Sequence, residues 1–147
     1  MCYMLILSTS SKAELSKHNS ALLKFEKELP PLAECKELKY QHRWFVGSRH
    51  SCSCGFRHLQ TSAVELGFDL PQDWYEEEGE DIAATKEFFA VVHSLITGGF
   101  AVDCIDVWGH ETEESTTIET IEVPIGNIPP GNFRFMEARH FVFSKSA

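Results

Sequence analysis

The stretch DIAATKEFFAVVHSLITGGFAVDCIDVW, running from Asp81 to Trp108, changes periodicity halfway along, and that change sets the fold class. From Asp81 to Thr97 the apolar residues Ile82, Phe89, Val92 and Ile96 recur at helical spacing. Phe88 and Leu95 widen the stripe, and Lys86, Ala90, His93 and Thr97 lie opposite. Asp81 is placed to cap the start, and Gly98-Gly99 supply a left-handed stop. Ala101 to Trp108 then carries apolar residues on both faces of an extended chain, which predicts a central strand.

Working outward, residues 2–8, Lys39–Val46, Thr117–Val123 and Arg139–Ser144 read as further strands. Ser11-Lys12-Ala13-Glu14 has the form of a capping box and predicts a helix from Lys12. The region up to Leu29 fits two periods. Leu15, Leu22, Phe25 and Leu29 make a helical stripe, while Leu23, Phe25 and Lys27 alternate with Lys24, Glu26 and Glu28 as in a strand. The expected architecture is α+β: a mostly antiparallel sheet of about five or six strands, with one main helix at about residues 81–97 packed on a face.

The chain has 147 residues and 43% hydrophobic content, which predicts a single domain over residues 1–147 with enough core to fold without staples. No apolar run approaches the roughly 18 residues of a membrane span. The apolar start, Met1 to Leu7, lacks a basic flank and a cleavage site, so it reads as a strand and not a signal peptide. The expected location is cytoplasmic. Five cysteines, an odd number without the spacing of a secreted scaffold, fit reduced thiols.

Net charge is −9, which excludes nucleic acid and anionic membrane as main partners. The charge is segregated. Lys39 to Val64 contains no acid but has Lys39, Arg43, Arg49 and Arg57, whereas Glu65 to Val123 holds 16 acids and one base. Either the two parts neutralise each other within the fold, or the basic segment receives an anionic ligand.

The basic segment is also where the soft ligands lie. Read as extended from Tyr40 to His58, it places His50, Cys52, Cys54 and His58 in one register and Arg43, Arg49 and Arg57 in the other. Two thiolates and two imidazoles are a donor set that zinc accepts. Sulfurs on one zinc sit roughly 3.8 Å apart, so the chain must turn at Cys52-Ser53-Cys54-Gly55, where Gly55 permits it. Thiol redox chemistry at Cys52/Cys54 and a cysteine nucleophile assisted by His50 or His58 are the alternatives. Asp103 and Asp106 fall on opposite faces of an apolar strand and need partners, for which the arginines of the basic segment are candidates. No P-loop, dinucleotide fingerprint, HExxH or GxSxG occurs.

The functional expectation is therefore a small metal- or anion-binding protein. His50, Cys52, Cys54 and His58 are the metal ligands, zinc is the cofactor, and Arg49, Arg57, Arg43 and Trp44 contact a small anionic ligand. The competing expectations are a protein–protein adaptor offering the acidic 65–123 surface to a basic partner, and a thiol enzyme built on Cys52 and Cys54.

Overall fold

The computed structural model describes residues 2–108 and 118–146. Its main sheet has six strands: β1 (Tyr3–Thr9), β2 (Leu23–Glu26), β3 (His42–Ser48), β5 (Val102–Trp108), β6 (Glu119–Pro124) and β8 (Arg139–Ser144). The two remaining strands, β4 (His58–Leu59) and β7 (Phe135–Met136), form a small parallel pair of their own. The main sheet runs in the order β2-β3-β1-β5-β8-β6. All its pairings are antiparallel except β6 with β8. One long helix, α1 (Gly79–Thr97), covers a face. No described helix is long and apolar enough to cross a membrane.

The α+β reading holds, and β5 is as central as its two apolar faces predict, with β1 on one side and β8 on the other. Thr117, the expected start of the 117–123 strand, lies outside the described residues, as does part of the acidic 65–123 stretch. Elsewhere the expectations shift. The helix begins at Gly79, two residues before Asp81, so Asp81 falls inside the first turn and not at the cap, and its carboxylate pairs with Arg49 at 2.6 Å. Its buried stripe is Ala84, Thr85, Phe88, Phe89, Val91, Val92 and Leu95, leaving Ile82 and Ile96 only half-buried at the margins. Gly99 provides the left-handed residue, with φ of +89°.

The helix expected from Lys12 is absent. A single 3-10 turn occupies Leu15–His18, and β2 follows. The Ser11 hydroxyl accepts from Ala13 N–H in a local turn, and Glu14 pairs with Lys27 instead of reaching back to cap a helix. Alternation decides the ambiguous stretch: Leu23 and Phe25 are buried while Lys24 and Glu26 are exposed, the pattern of an edge strand with one solvated face.

The front core lies between α1 and the sheet. Phe88, Phe133, Phe135, Phe141 and Phe143 meet there with ring centroids 5.0–6.4 Å apart, mostly edge-to-face or tilted. On the rear, Ile6, Phe45 and Ile105 are covered by the chain from Leu29 to Leu38, including a 3-10 turn at Ala33–Glu37. Asp103 pins that cover. Its carboxylate accepts from Lys39 N–H at 3.0 Å and from the Ser8 hydroxyl, and it faces His140 Nε2 at 2.7 Å.

Phe88 touches four other rings and has no exposed surface. Phe88→Ala should cost about 3–5 kcal/mol, read as a lower urea midpoint at unchanged slope. A loss below about 1 kcal/mol would show that the ring cluster is not the centre of the core.

Candidate functional site

β3 ends at Ser48, and the extended reading of the basic segment ends with it. The chain turns through Arg49 and His50, with Ser51 in the left-handed region at φ 68°, and then makes a 3-10 turn over Ser53–Gly55. The expected turn at Cys52–Gly55 is thus present, while Gly47, also able to bend, stays inside β3.

Two serines fix this turn. The Ser53 hydroxyl sits between the paired residues Leu5 of β1 and Val46 of β3. It accepts from Leu5 N–H at 2.9 Å and donates to Val46 C=O at 2.6 Å. The Ser48 hydroxyl donates to Cys52 C=O at 2.6 Å and accepts from Gly55 N–H at 2.9 Å. The approach at Gly55 leaves no room for a side chain, since a Cβ there would lie 2.6 Å from Ser48 Oγ. Because β1 and β3 are antiparallel with Leu5 opposite Val46, the residues that precede β1 lie beside the turn that follows β3.

That register brings in a residue the sequence reading passed over. Cys2, Cys52 and Cys54 place their three sulfurs within 4.8 Å of one another, close enough to share one metal ion. All three are half-buried free thiols. Tyr3 N–H points at Cys54 Sγ across 3.3 Å. Burial by itself would raise the Cys52 thiol. Hydrogen bonds to its sulfur from Cys54 N–H and from the thiols of Cys54 and Cys2 outweigh burial and lower its pKa. The Cys54 thiol is pushed up to about 12, by burial and by negative charge on Cys52. Within the cluster, Cys52 is therefore the lowered thiol and Cys54 the raised one. Cys104 lies in the core and Cys35, partly buried, belongs to the rear cover, and burial raises both thiols.

The two histidines expected beside the cysteines have other surroundings. His50 is exposed on the turn. His58 is stacked flat on Tyr3 at 4.0 Å, and its side chain is 5% exposed. Its Nδ1 faces Asp106 Oδ2 at 2.8 Å and its Nε2 faces Ser53 C=O at 2.7 Å, so both ring nitrogens are engaged within the protein. Asp106 is fully buried, and burial pushes its carboxyl up against the pull of His58. Its second oxygen, Oδ1, has no hydrogen-bond partner among the described residues. The partners of Asp103 and Asp106 are therefore His140 and His58, and not the arginines expected for them; the two acids do lie on opposite faces.

The residues expected to meet an anion are met by the protein. Arg49 pairs with Glu78, Glu80 and Asp81 at 2.6–2.9 Å. Arg57 is buried against Glu77 and donates to the carbonyls of Asp69, Gly131 and Phe133. Arg134, also buried, shares Glu77 and donates to Gly67 and Leu70 carbonyls and to Gln72. Arg43 donates to Leu38 C=O and Tyr40 C=O, and Trp44 is in the core, edge-on to Phe25. The charge segregation of the sequence resolves, for Arg49 and Arg57, as pairing inside the fold. A cavity of about 200 Å³ opens beside Cys54, lined by Tyr3, His58, Gln60, Tyr75 and Glu76 among others.

Neither a scan against protein-family models nor searches of curated proteins and of solved structures finds a match to this chain.

Ser53→Ala removes the bridge between Leu5 and Val46 and leaves two buried backbone groups unpaired. It should cost about 1–3 kcal/mol in urea unfolding and increase the reactivity of Cys54 toward a thiol reagent. Glu77 supplies a pH test. Burial opposes its ionisation, but hydrogen bonds and charge from Arg57 and Arg134 prevail and hold its pKa below the usual carboxylate value. Its contribution is therefore complete above the ordinary glutamate pKa of about 4.3 and is lost as pH falls through the lowered folded value. Glu77→Gln should lose about 3–5 kcal/mol at neutral pH, through two uncompensated guanidiniums, and should show a shallower acid limb than wild type.

Proposed function

We propose that this protein binds a thiophilic metal ion, zinc foremost, through the sulfurs of Cys2, Cys52 and Cys54. One observation carries the reading: three thiols, two from a tight turn and one from the segment preceding β1, converge within 4.8 Å. Sulfurs around one zinc are roughly 3.8 Å apart, so side-chain rotation of about an ångström completes the triangle. An all-sulfur donor set selects soft or borderline cations over magnesium and calcium, which take oxygen. The lowered pKa of Cys52 favours the form that ligates, and binding would displace the protons of its two neighbours. Three protein ligands leave the fourth position of a tetrahedron to water or to a small solute. The cavity beside Cys54 gives such a solute access to the edge of the site. The thiolates would require a reducing compartment.

The adjoining Tyr3, His58 and Ser53 belong to the support of the site. Tyr3 N–H and Ser53 hydroxyl hold the turn, and His58 buttresses it through Ser53 C=O.

The test is metal content and thiol count on protein purified under reducing conditions without chelator. About one zinc per chain is expected, with three of the five thiols masked until chelation. Cobalt substitution should add a thiolate-to-metal charge-transfer band. Cys52→Ser should weaken zinc by on the order of 100-fold or more, whereas Cys35→Ser should leave it unchanged. Metal-free protein in which all three thiols react freely, and to which added zinc does not bind, would reject the reading.

A further inference from the structure

Thiols close enough to share an ion are also close enough to react with one another. Cys2, Cys52 and Cys54 lie within 4.8 Å, sulfur to sulfur, and none is in a disulfide. Each is half-buried, so a small solute reaches them. A disulfide requires an S–S length near 2.05 Å with the Cβ atoms about 3.8 Å apart, and the members of the cluster differ in how well they can meet it. Cys52 and Cys54 are separated by one residue, and a ring so small forces strained dihedrals. Cys54 Sγ is further occupied by Tyr3 N–H. Cys2 precedes β1 and is outside the strand pairing, which starts at Tyr3, so it has the freedom to close the gap. Cys104 lies in the front core and Cys35, partly buried, in the rear cover; neither belongs to the cluster.

We propose that Cys52 is a site of two-electron oxidation by a hydroperoxide, resolved by Cys2 as an intramolecular disulfide. In the first step the Cys52 sulfur attacks the terminal peroxide oxygen. The O–O bond breaks, Cys52 becomes a sulfenic acid, and the other oxygen leaves with the electron pair and takes a proton as an alcohol, or as water when the oxidant is hydrogen peroxide. In the second step the Cys2 sulfur attacks Cys52 sulfur, the S–O bond breaks, and the hydroxyl leaves as water with the proton of the second thiol. Two thiols and one hydroperoxide thus give one disulfide, one alcohol and one water, with two electrons passing from sulfur to oxygen. The pairing of Cys2 with Cys52 stands on the sulfur geometry and does not depend on a bound ion. One consequence rests on the zinc reading: the disulfide consumes two of the three ligands, so oxidation releases the ion.

The test uses the full chain, reduced, chelated and metal-free, treated with one equivalent of hydrogen peroxide. Remaining thiols are then alkylated and the protein is mapped by mass spectrometry without reduction. The expected product is a monomer with Cys2 linked to Cys52, with Cys35 and Cys104 alkylated once the protein is denatured, and with Cys52 oxidised faster than Cys35, which is outside the cluster. In Cys2→Ser the sulfenic acid at Cys52 should persist long enough for capture by a dimedone-type reagent. Oxidation of Cys52 no faster than Cys35, a Cys52–Cys54 link, or links only between molecules would each overturn the proposal. A second arm with zinc-loaded protein separates the two readings. Disulfide formation in chelated protein that never takes up zinc leaves the redox site standing and rejects the metal, whereas zinc binding without any disulfide does the reverse.

Discussion

The hydroxyl of Ser53 stands between Leu5 N–H and Val46 C=O, and the arrangement of the thiols follows from it. A strand pair that would close on itself is bridged there by a side chain from the following turn. The turn is drawn against the end of the sheet, with Cys52 and Cys54 on either side of the bridging residue. The second serine, Ser48, fastens the same turn from within through Cys52 C=O and Gly55 N–H. Both hydroxyls act as donor and acceptor at once, so neither leaves a buried polar atom unpaired. A cysteine cluster on a loop would ordinarily be mobile; here four hydrogen bonds through the Ser53 and Ser48 hydroxyls tie the turn to β1 and β3.

Charge performs the corresponding task for the surrounding segments. The stretch from Gly67 to Glu78 has no helix or sheet to hold it, apart from a single bridge between Gln72 and Tyr75. It is anchored by two buried guanidiniums that collect its carbonyls and share the carboxylate of Glu77. Arginine suits this use because its planar fork satisfies several carbonyls at fixed angles. Asp106 with His58 and Asp103 with His140 do the same for the front and the rear of β5. The acidic balance of the chain is thus partly structural: acids are spent on holding cations that hold loops.

Periodicity made much of this fold legible. The helical stripe of residues 81–97, the doubly apolar 101–108 strand and the 139–144 strand were each readable because burial imposes a period over a long enough run. The short elements were not: β4 and β7 have two residues each, and a period cannot be expressed in two. The capping-box pattern at Ser11–Glu14 misled because the same side chains serve a local turn and an ion pair equally well. In the site, Cys52, Cys54 and the turn at Gly55 were visible from composition and spacing. Cys2 was not, because its place depends on the β1–β3 register, a long-range fact with no local signature. His58 stood in the right neighbourhood, but only the structure shows that Asp106 and Ser53 already engage its ring. The arginines drew attention as a cluster, yet the partners of Arg57 lie up to 76 positions away in the chain, where only tertiary packing can join it to carbonyls and to Glu77.

The placement of β1 bears on how such a molecule comes to exist. Its two neighbours are of very different age in the growing chain: β3 follows after a few dozen residues, but Thr9 must pair with Val102, across most of the polypeptide. Until β5 is made, a strand whose middle is Leu5-Ile6-Leu7 is an open edge, with unpaired amides and apolar side chains on both sides. Sheets closed by such distant pairings form slowly and leave their edges available to other chains meanwhile. The demand on the cell is therefore kinetic. High concentrations of nascent chain should favour aggregation through β1, and the edge strands that remain in the finished sheet, β2 with its exposed Lys24 and Glu26 among them, carry the charge that β1 lacks.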